Sequence, residues 1–142
     1  MQTSFFTRLV ALAAIASVVA AQTPPDCVKT VITKLGDTCD KICAANSVST
    51  YQLETVNHDI VDGKCDNLVP NETLCLGITG QYCDVVHVVQ TGDICYEVAY
   101  QANITLTTLY ANNPNINSTC GNIYPGEVLC TSSVIYPYNT TN

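Results

Sequence analysis

Basic side chains are scarce in this 142-residue chain. It has one arginine, Arg8, and four lysines, Lys29, Lys34, Lys41 and Lys64, against twelve acidic residues. The formal net charge is −7, or −8 once Arg8 is set aside. Nucleic acid and anionic membrane both need a basic surface, so neither is an expected partner. Metal-ligand patterns are also missing. There is no C-x-x-C pair, and His58 and His87 do not stand at ligand spacing from any cysteine, so neither a metal nor another cofactor is expected. No carboxylate pair recurs in a general acid–base role, and neither histidine has a Ser or Cys nucleophile motif beside it, which argues against an enzyme. Beyond Leu9 to Ala20 there is no second long apolar run, and the C-terminus lacks a hydrophobic tail. A membrane span and a glycolipid anchor are therefore not expected.

The apolar run Leu9 to Ala20 has Arg8 before it and ends in the small residues Val19-Ala20-Ala21, the form of a secretory leader cut after Ala21. Residues 1–21 are thus expected to be a signal peptide, and the protein to be extracellular. All nine cysteines lie after that point. In an oxidising compartment disulfides are the default reading. Four N-glycosylation acceptors, at Asn71, Asn103, Asn117 and Asn139, suit the same route.

The strongest positive feature is a duplication. Cys27, Cys39, Cys65 and Cys75 recur as Cys83, Cys95, Cys120 and Cys130. The first intervals match at 12 residues and the last at 10, while the middle ones are 26 and 25. Each second cysteine follows Gly-Asp-x, and each frame carries Asn-x-x-Ile, as Asn57 to Ile60 and Asn113 to Ile116. One fold used twice is the direct reading. At about 50 residues per copy, a hydrophobic core alone is marginal and staples matter.

Local patterns place the same elements in each copy. Val28 to Lys34 and Val85 to Gln90 read as opening strands, and Thr73 to Leu76 and Glu127 to Thr131 as closing strands. Between them, Thr38 to Ala45 and Ser49 to Val56 read as helices in the first copy, and Ile94 to Ala102 and Thr105 to Ala111 in the second. Asp93 is expected to cap the helix after it, and Thr105 the next. Asn71 stands where the second copy has the turn glycine Gly126, so both positions are expected to be left-handed. The predicted class is α+β, two tandem small βααβ modules over residues 27–76 and 83–131. Residues 77–82 form a short linker, and 132–142 a flexible C-terminal tail.

Strand, Gly-Asp-Thr, two helices, Asn-Pro-x-Ile and Pro-Gly before a last strand resemble the LysM domain. The four-cysteine frame is similar to that of fungal secreted LysM proteins, and the likeness covers both copies. It implies a non-catalytic protein that binds chitin and N-acetylglucosamine oligomers, sequestering them from host immune receptors or shielding the fungal wall from chitinases, with some association with that wall. The family's site lies between two loops. Carried over, it comprises Gly36, Asp37, Thr38, Asn57, His58, Asp59 and Ile60 in the first module. In the second it comprises Gly92, Asp93, Ile94, Asn113, Pro114, Asn115 and Ile116. An N-acetyl group needs an amide donor, an acceptor and an apolar niche; exposed loop backbone supplies the first two, and Ile60 and Ile116 are the candidates for the third. Two departures from the pattern, Ile94 in place of threonine and His58 in place of proline, imply modules of unequal affinity.

Spacing alone leaves three pairings open within each module. The family's antiparallel terminal strands imply first with fourth cysteine and second with third. Cys43 falls outside the frame. It is either a buried free thiol or the means of a covalent homodimer; a dimer bridged by ligand is a further form. Tyr96, Tyr100 and Tyr110 offer rings that could stack on sugar, but they stand at helical spacing and read rather as core or helix-packing residues. The rival to sugar binding is a cysteine-rich interaction or wall structural protein.

Overall fold

The computed structural model describes residues 23–138; the expected signal peptide and the acceptor Asn139 lie outside them. The first module runs β1 (Cys27–Ile32), α1 (Cys39–Asn46), α2 (Thr50–Val56) and β2 (Thr73–Ile78). The second repeats the order as β3 (Val86–Val88), α3 (Cys95–Gln101), α4 (Leu106–Asn112) and β4 (Val128–Cys130). β1 pairs antiparallel with β2 and β3 with β4, giving two separate two-stranded sheets. The α+β class and the βααβ order are as the sequence implies.

Helix starts follow side-chain chemistry. Thr38, Ser49 and Thr105 each accept a backbone N–H from the first turn of α1, α2 and α4. The second module departs at α3. Its N-cap is Ile94, which makes no side-chain cap bond, and not Asp93 as expected. The aspartate points backward instead, accepting the Gln90 N–H at 2.8 Å. Asp37 does the same to Lys34 at 2.8 Å. Both aspartates therefore close the turn before the helix and leave the cap to the next residue.

The turn into each closing strand matches expectation. Asn71 has φ 67° and Gly126 φ 99°, and their N–H groups donate to the Thr33 and Val89 carbonyls, both at 2.9 Å. Glycine, and after it asparagine, reach this left-handed geometry at the least cost.

Four disulfides staple the modules: Cys27–Cys75, Cys39–Cys65, Cys83–Cys130 and Cys95–Cys120. This is the pairing the resemblance implies. Cys43 is free and fully buried, its Sγ 3.6 Å from the Ser49 carbonyl oxygen. Burial, and then the nearby Asp40 and Glu54, push its thiol far up from the ordinary value. Of its two readings, the buried thiol is the one this position allows.

The modules are not beads on a string. Val128 of β4 belongs to the first module's core, with Leu53, Leu74, Leu76 and Val61, and Val86 and Val88 pack against it. A second core gathers Val89, Val98, Ala99, Leu109, Ile116 and Leu129. Residues 132–138, read from sequence as a loose tail, are tied down. Asn112 Nδ2 donates to the Ser132 and Val134 carbonyls, and the Tyr136 N–H donates to Asn112 Oδ1. Tyr138 then meets Tyr51 edge to face, ring centroids 5.2 Å apart.

Candidate functional site

In each module the first residue of the first helix, directly after the Gly-Asp loop, is joined to the loop after the second helix by one staple. Cys39–Cys65 does this for the first module and Cys95–Cys120 for the second. Gly36 and Gly92 lead these loops with φ 85° and 95° and are exposed. Thr38, His58 and Asp59 in the first module, and Ile94, Pro114 and Asn115 in the second, are exposed as well.

Asn57 and Asn113 are not exposed. Asn57 Nδ2 donates to the Leu53 and Cys75 carbonyls at 2.7 and 2.6 Å, and its Oδ1 accepts the Cys75 N–H at 2.8 Å. Asn113 repeats this with Leu109 and Cys130, all at 2.8 Å. These two side chains latch the end of the second helix onto the closing strand and are spent on that task. They build the loop from beneath.

The loop after the latch explains the unequal middle intervals. Asp62 Oδ1 accepts the N–H groups of Lys64 and Asp66, and Asn117 Oδ1 those of Thr119 and Gly121. Asn67 Nδ2 donates to the Ile60 carbonyl, and Asn122 Nδ2 to that of Asn115. Ile60 thus corresponds to Asn115, and Val61 to Ile116. The extra residue of the first module lies between Asn57 and Asp62. Ile116 is only 7% exposed and packs in the second core, as Val61 does in the first. Ile116 is therefore a core residue and not an open niche, whereas Ile60 is half-buried at the surface.

The electrostatics of the two loops differ. His87 Nε2 lies 2.6 Å from Asp93 Oδ2. The Gln90 backbone N–H, and then His87, hold the Asp93 carboxyl below the usual range. The equivalent of His87 in the first module is Val31, so Asp37 lacks that partner. His58 is exposed, with Nδ1 3.0 Å from the Thr55 carbonyl. Among the described residues no group of three or more His, Cys, Asp or Glu is placed to hold a metal ion.

Sequence reasoning missed a groove of about 510 Å³ between the modules, lined by Thr38, Asp40, Thr50, Glu54, Lys64 and Tyr124. Asp40 Oδ1 accepts from Thr50 Oγ1 at 2.7 Å and from the Tyr124 hydroxyl at 3.4 Å, and Thr50 Oγ1 accepts the Val128 N–H at 3.0 Å. Burial, then Asp40, Glu127 and Asp62, raise the Glu54 carboxyl to about 7. Nothing local in the sequence marks this groove, because Tyr124 of the second module closes it against Asp40, 84 residues earlier.

Against known proteins, a family model described as "LysM domain" matches residues 31–77 and 87–132. A secreted LysM effector of Pochonia chlamydosporia is 34% identical over 113 residues, covering 78% of this chain and 16% of the relative. A secreted LysM effector of Trichophyton rubrum is 27% identical over 128 residues, covering 74% of this chain and 50% of the relative. The chain thus spans half or less of the length of these relatives. Among solved structures, the spore cortex-lytic enzyme SleL of Bacillus megaterium is 16% identical, covering 78% of this chain and 23% of that one, with a TM-score of 0.37. The family match falls once on each βααβ repeat and takes in well over half of the chain, so this protein belongs to the LysM domain family.

Proposed function

We propose that this protein is a secreted, non-catalytic binder of chitin and N-acetylglucosamine oligomers. Its contacts are made by the loop pairs Gly36–Thr38 with His58–Ile60 and Gly92–Ile94 with Pro114–Asn115. The observation that carries this reading is the repetition itself. Two exposed loops are held together by a staple and a buried asparagine latch in both copies, while the surface elsewhere differs. Membership of the LysM family and likeness to secreted LysM effectors of two fungi support it. A neutral sugar polymer also suits an acidic protein, because such a ligand is bound by backbone donors and acceptors with no call for charge.

Sequestration of chitin fragments from host receptors, or protection of the wall from chitinases, is the biological role that follows. Calorimetry with a chitin hexamer tests the binding step. Saturable heat is expected, and its absence at millimolar ligand would sink the proposal. Incubation with the same hexamer should leave its length unchanged; shortened products would make the protein an enzyme.

A further inference from the structure

Tyr96 and Tyr100 do not enter the core. They stand one turn apart on the outer face of α3, 64% and 75% exposed, with ring centroids 6.4 Å and ring planes 13° apart. Ile94, 51% exposed, begins the same helix. Among the described residues nothing covers this strip. Two depressions flank Tyr100. One, of about 410 Å³, is bordered by Asn103, Thr105 and Thr108; the other, of about 220 Å³, by Tyr96, Ile104 and Leu106.

Asn103 stands just past the end of α3, at φ 56°, with its N–H donating to the Tyr100 carbonyl at 3.0 Å. It is exposed, and Asn103-Ile104-Thr105 is an N-glycosylation acceptor. The acceptor amide and the tyrosine ring thus border the same depression. At Asn117, by contrast, the carboxamide oxygen is bound to two backbone N–H groups and the Thr119 hydroxyl, and it serves the loop.

We propose that Asn103 is N-glycosylated and that the first N-acetylglucosamine of the glycan packs over Tyr100, closing the aromatic strip. In the transfer, Asn103 Nδ2 attacks C1 of an oligosaccharide carried on a lipid diphosphate. The C1–O bond to the diphosphate breaks, the C–N bond forms, and the amide proton leaves to the transferase base. No electron carrier is involved. The attached pyranose then presents one face of C–H bonds to the electron-rich face of the ring, which is the contact an exposed tyrosine favours. The acetyl methyl has an apolar seat beside Ile104 and Leu106. A strip of this kind left bare on a secreted protein would invite association.

The test uses the full chain secreted from a glycosylating eukaryotic host. Thr73→Val, Thr119→Ala and Thr141→Ala remove the other three acceptors. Peptide mass mapping after amidase release in heavy-oxygen water should mark Asn103 as occupied. The glycosylated form should melt about 2–6 °C above the fully deglycosylated form. An endoglycosidase that leaves a single N-acetylglucosamine should retain that shift. Tyr100→Ala should abolish it, together with any upfield ring-current displacement of the sugar C–H resonances. A bare Asn103 overturns the proposal, and so does a glycan whose removal moves the melting point equally with and without Tyr100. The experiment contains no free chitin, so its result is independent of the binding proposal.

Discussion

Gln52 Oε1 accepts the backbone N–H of Cys83 at 2.8 Å, so a side chain of the first module's second helix holds the first cysteine of the second module. The same side chain donates through Nε2 to the Leu76 carbonyl at 2.6 Å and is fully buried. Gly77 makes room for it: a Cβ there would stand 2.5 Å from Gln52 Nε2 and from the Tyr82 ring. Replacing Gln52 by leucine keeps the volume but orphans a buried donor and a buried acceptor. The expected loss is about 2–4 kcal/mol in urea unfolding. Both modules should unfold in one transition, earlier than in the parent; two separated transitions would show that they are not coupled here.

The asparagine latches should be energetically equivalent in the two copies. Asn57→Ala and Asn113→Ala each leave a closing-strand N–H and C=O without their buried partner. Each substitution should cost about 2–4 kcal/mol. Thermal melts of the two variants, compared with His58→Ala on the exposed loop, check this. The histidine change should fall within about 0.5 kcal/mol of the parent.

Ile94 is a defect in an otherwise capped set of helices. Ile94→Thr restores the side-chain oxygen that Thr38 supplies at the matching position. A gain of about 0.5–1 kcal/mol is expected in chemical denaturation. If Ile94 is also what weakens the second sugar site, the same variant should bind chitin hexamer more tightly by calorimetry. A more stable variant with unchanged affinity would remove Ile94 from the proposed site.

Stability should fall as pH rises from about 4.5 to about 7. Glu54 has its folded-state value raised to about 7, chiefly by burial and then by Asp40, Glu127 and Asp62. In that window the folded state binds more protons than the unfolded one, so the stabilising contribution is full below the unfolded value and is lost as pH passes the folded one. Glu54 is half-buried, and with solvent screening allowed for, the effect is on the order of 1 kcal/mol. Glu54→Gln should flatten this part of the stability–pH curve. Asp93 acts in the opposite sense at lower pH: its depressed value means that acidification removes the turn it closes with Gln90 and His87.

The sequence was most readable where one residue carries the whole cause. A left-handed turn admits few residue types, so Asn71 and Gly126 announced their geometry. Thr105 announced its cap through its hydroxyl. Asp93 misled because an aspartate before a helix serves two purposes equally well, capping forward or closing the turn behind, and only the position of the next residue decides. Ile116 misled because the Asn-x-x-Ile letters align it with Ile60, while a one-residue insertion in the first module makes the core residue Val61 its true counterpart. Gln52, Tyr138 and the groove at Asp40 and Tyr124 left no local trace. Each depends on a partner in the other module, and a polar residue in mid-helix looks the same whether it faces water or a neighbouring chain segment. The two exposed loops of the proposed site were legible as motifs; which of their side chains stand free was not.

Val128 fills a place in the core of a module to which it does not belong. The two copies are therefore no longer interchangeable: they share one interior at Val128. Losing the second module would open the first module's interior, and losing the first would bare Val86, Val88 and Val128. The distance between the two proposed sugar sites is then a fixed constant of the molecule. A single polymer chain engages both proposed sites only if its length and path match that span, whereas short oligomers fill them one by one as concentration rises.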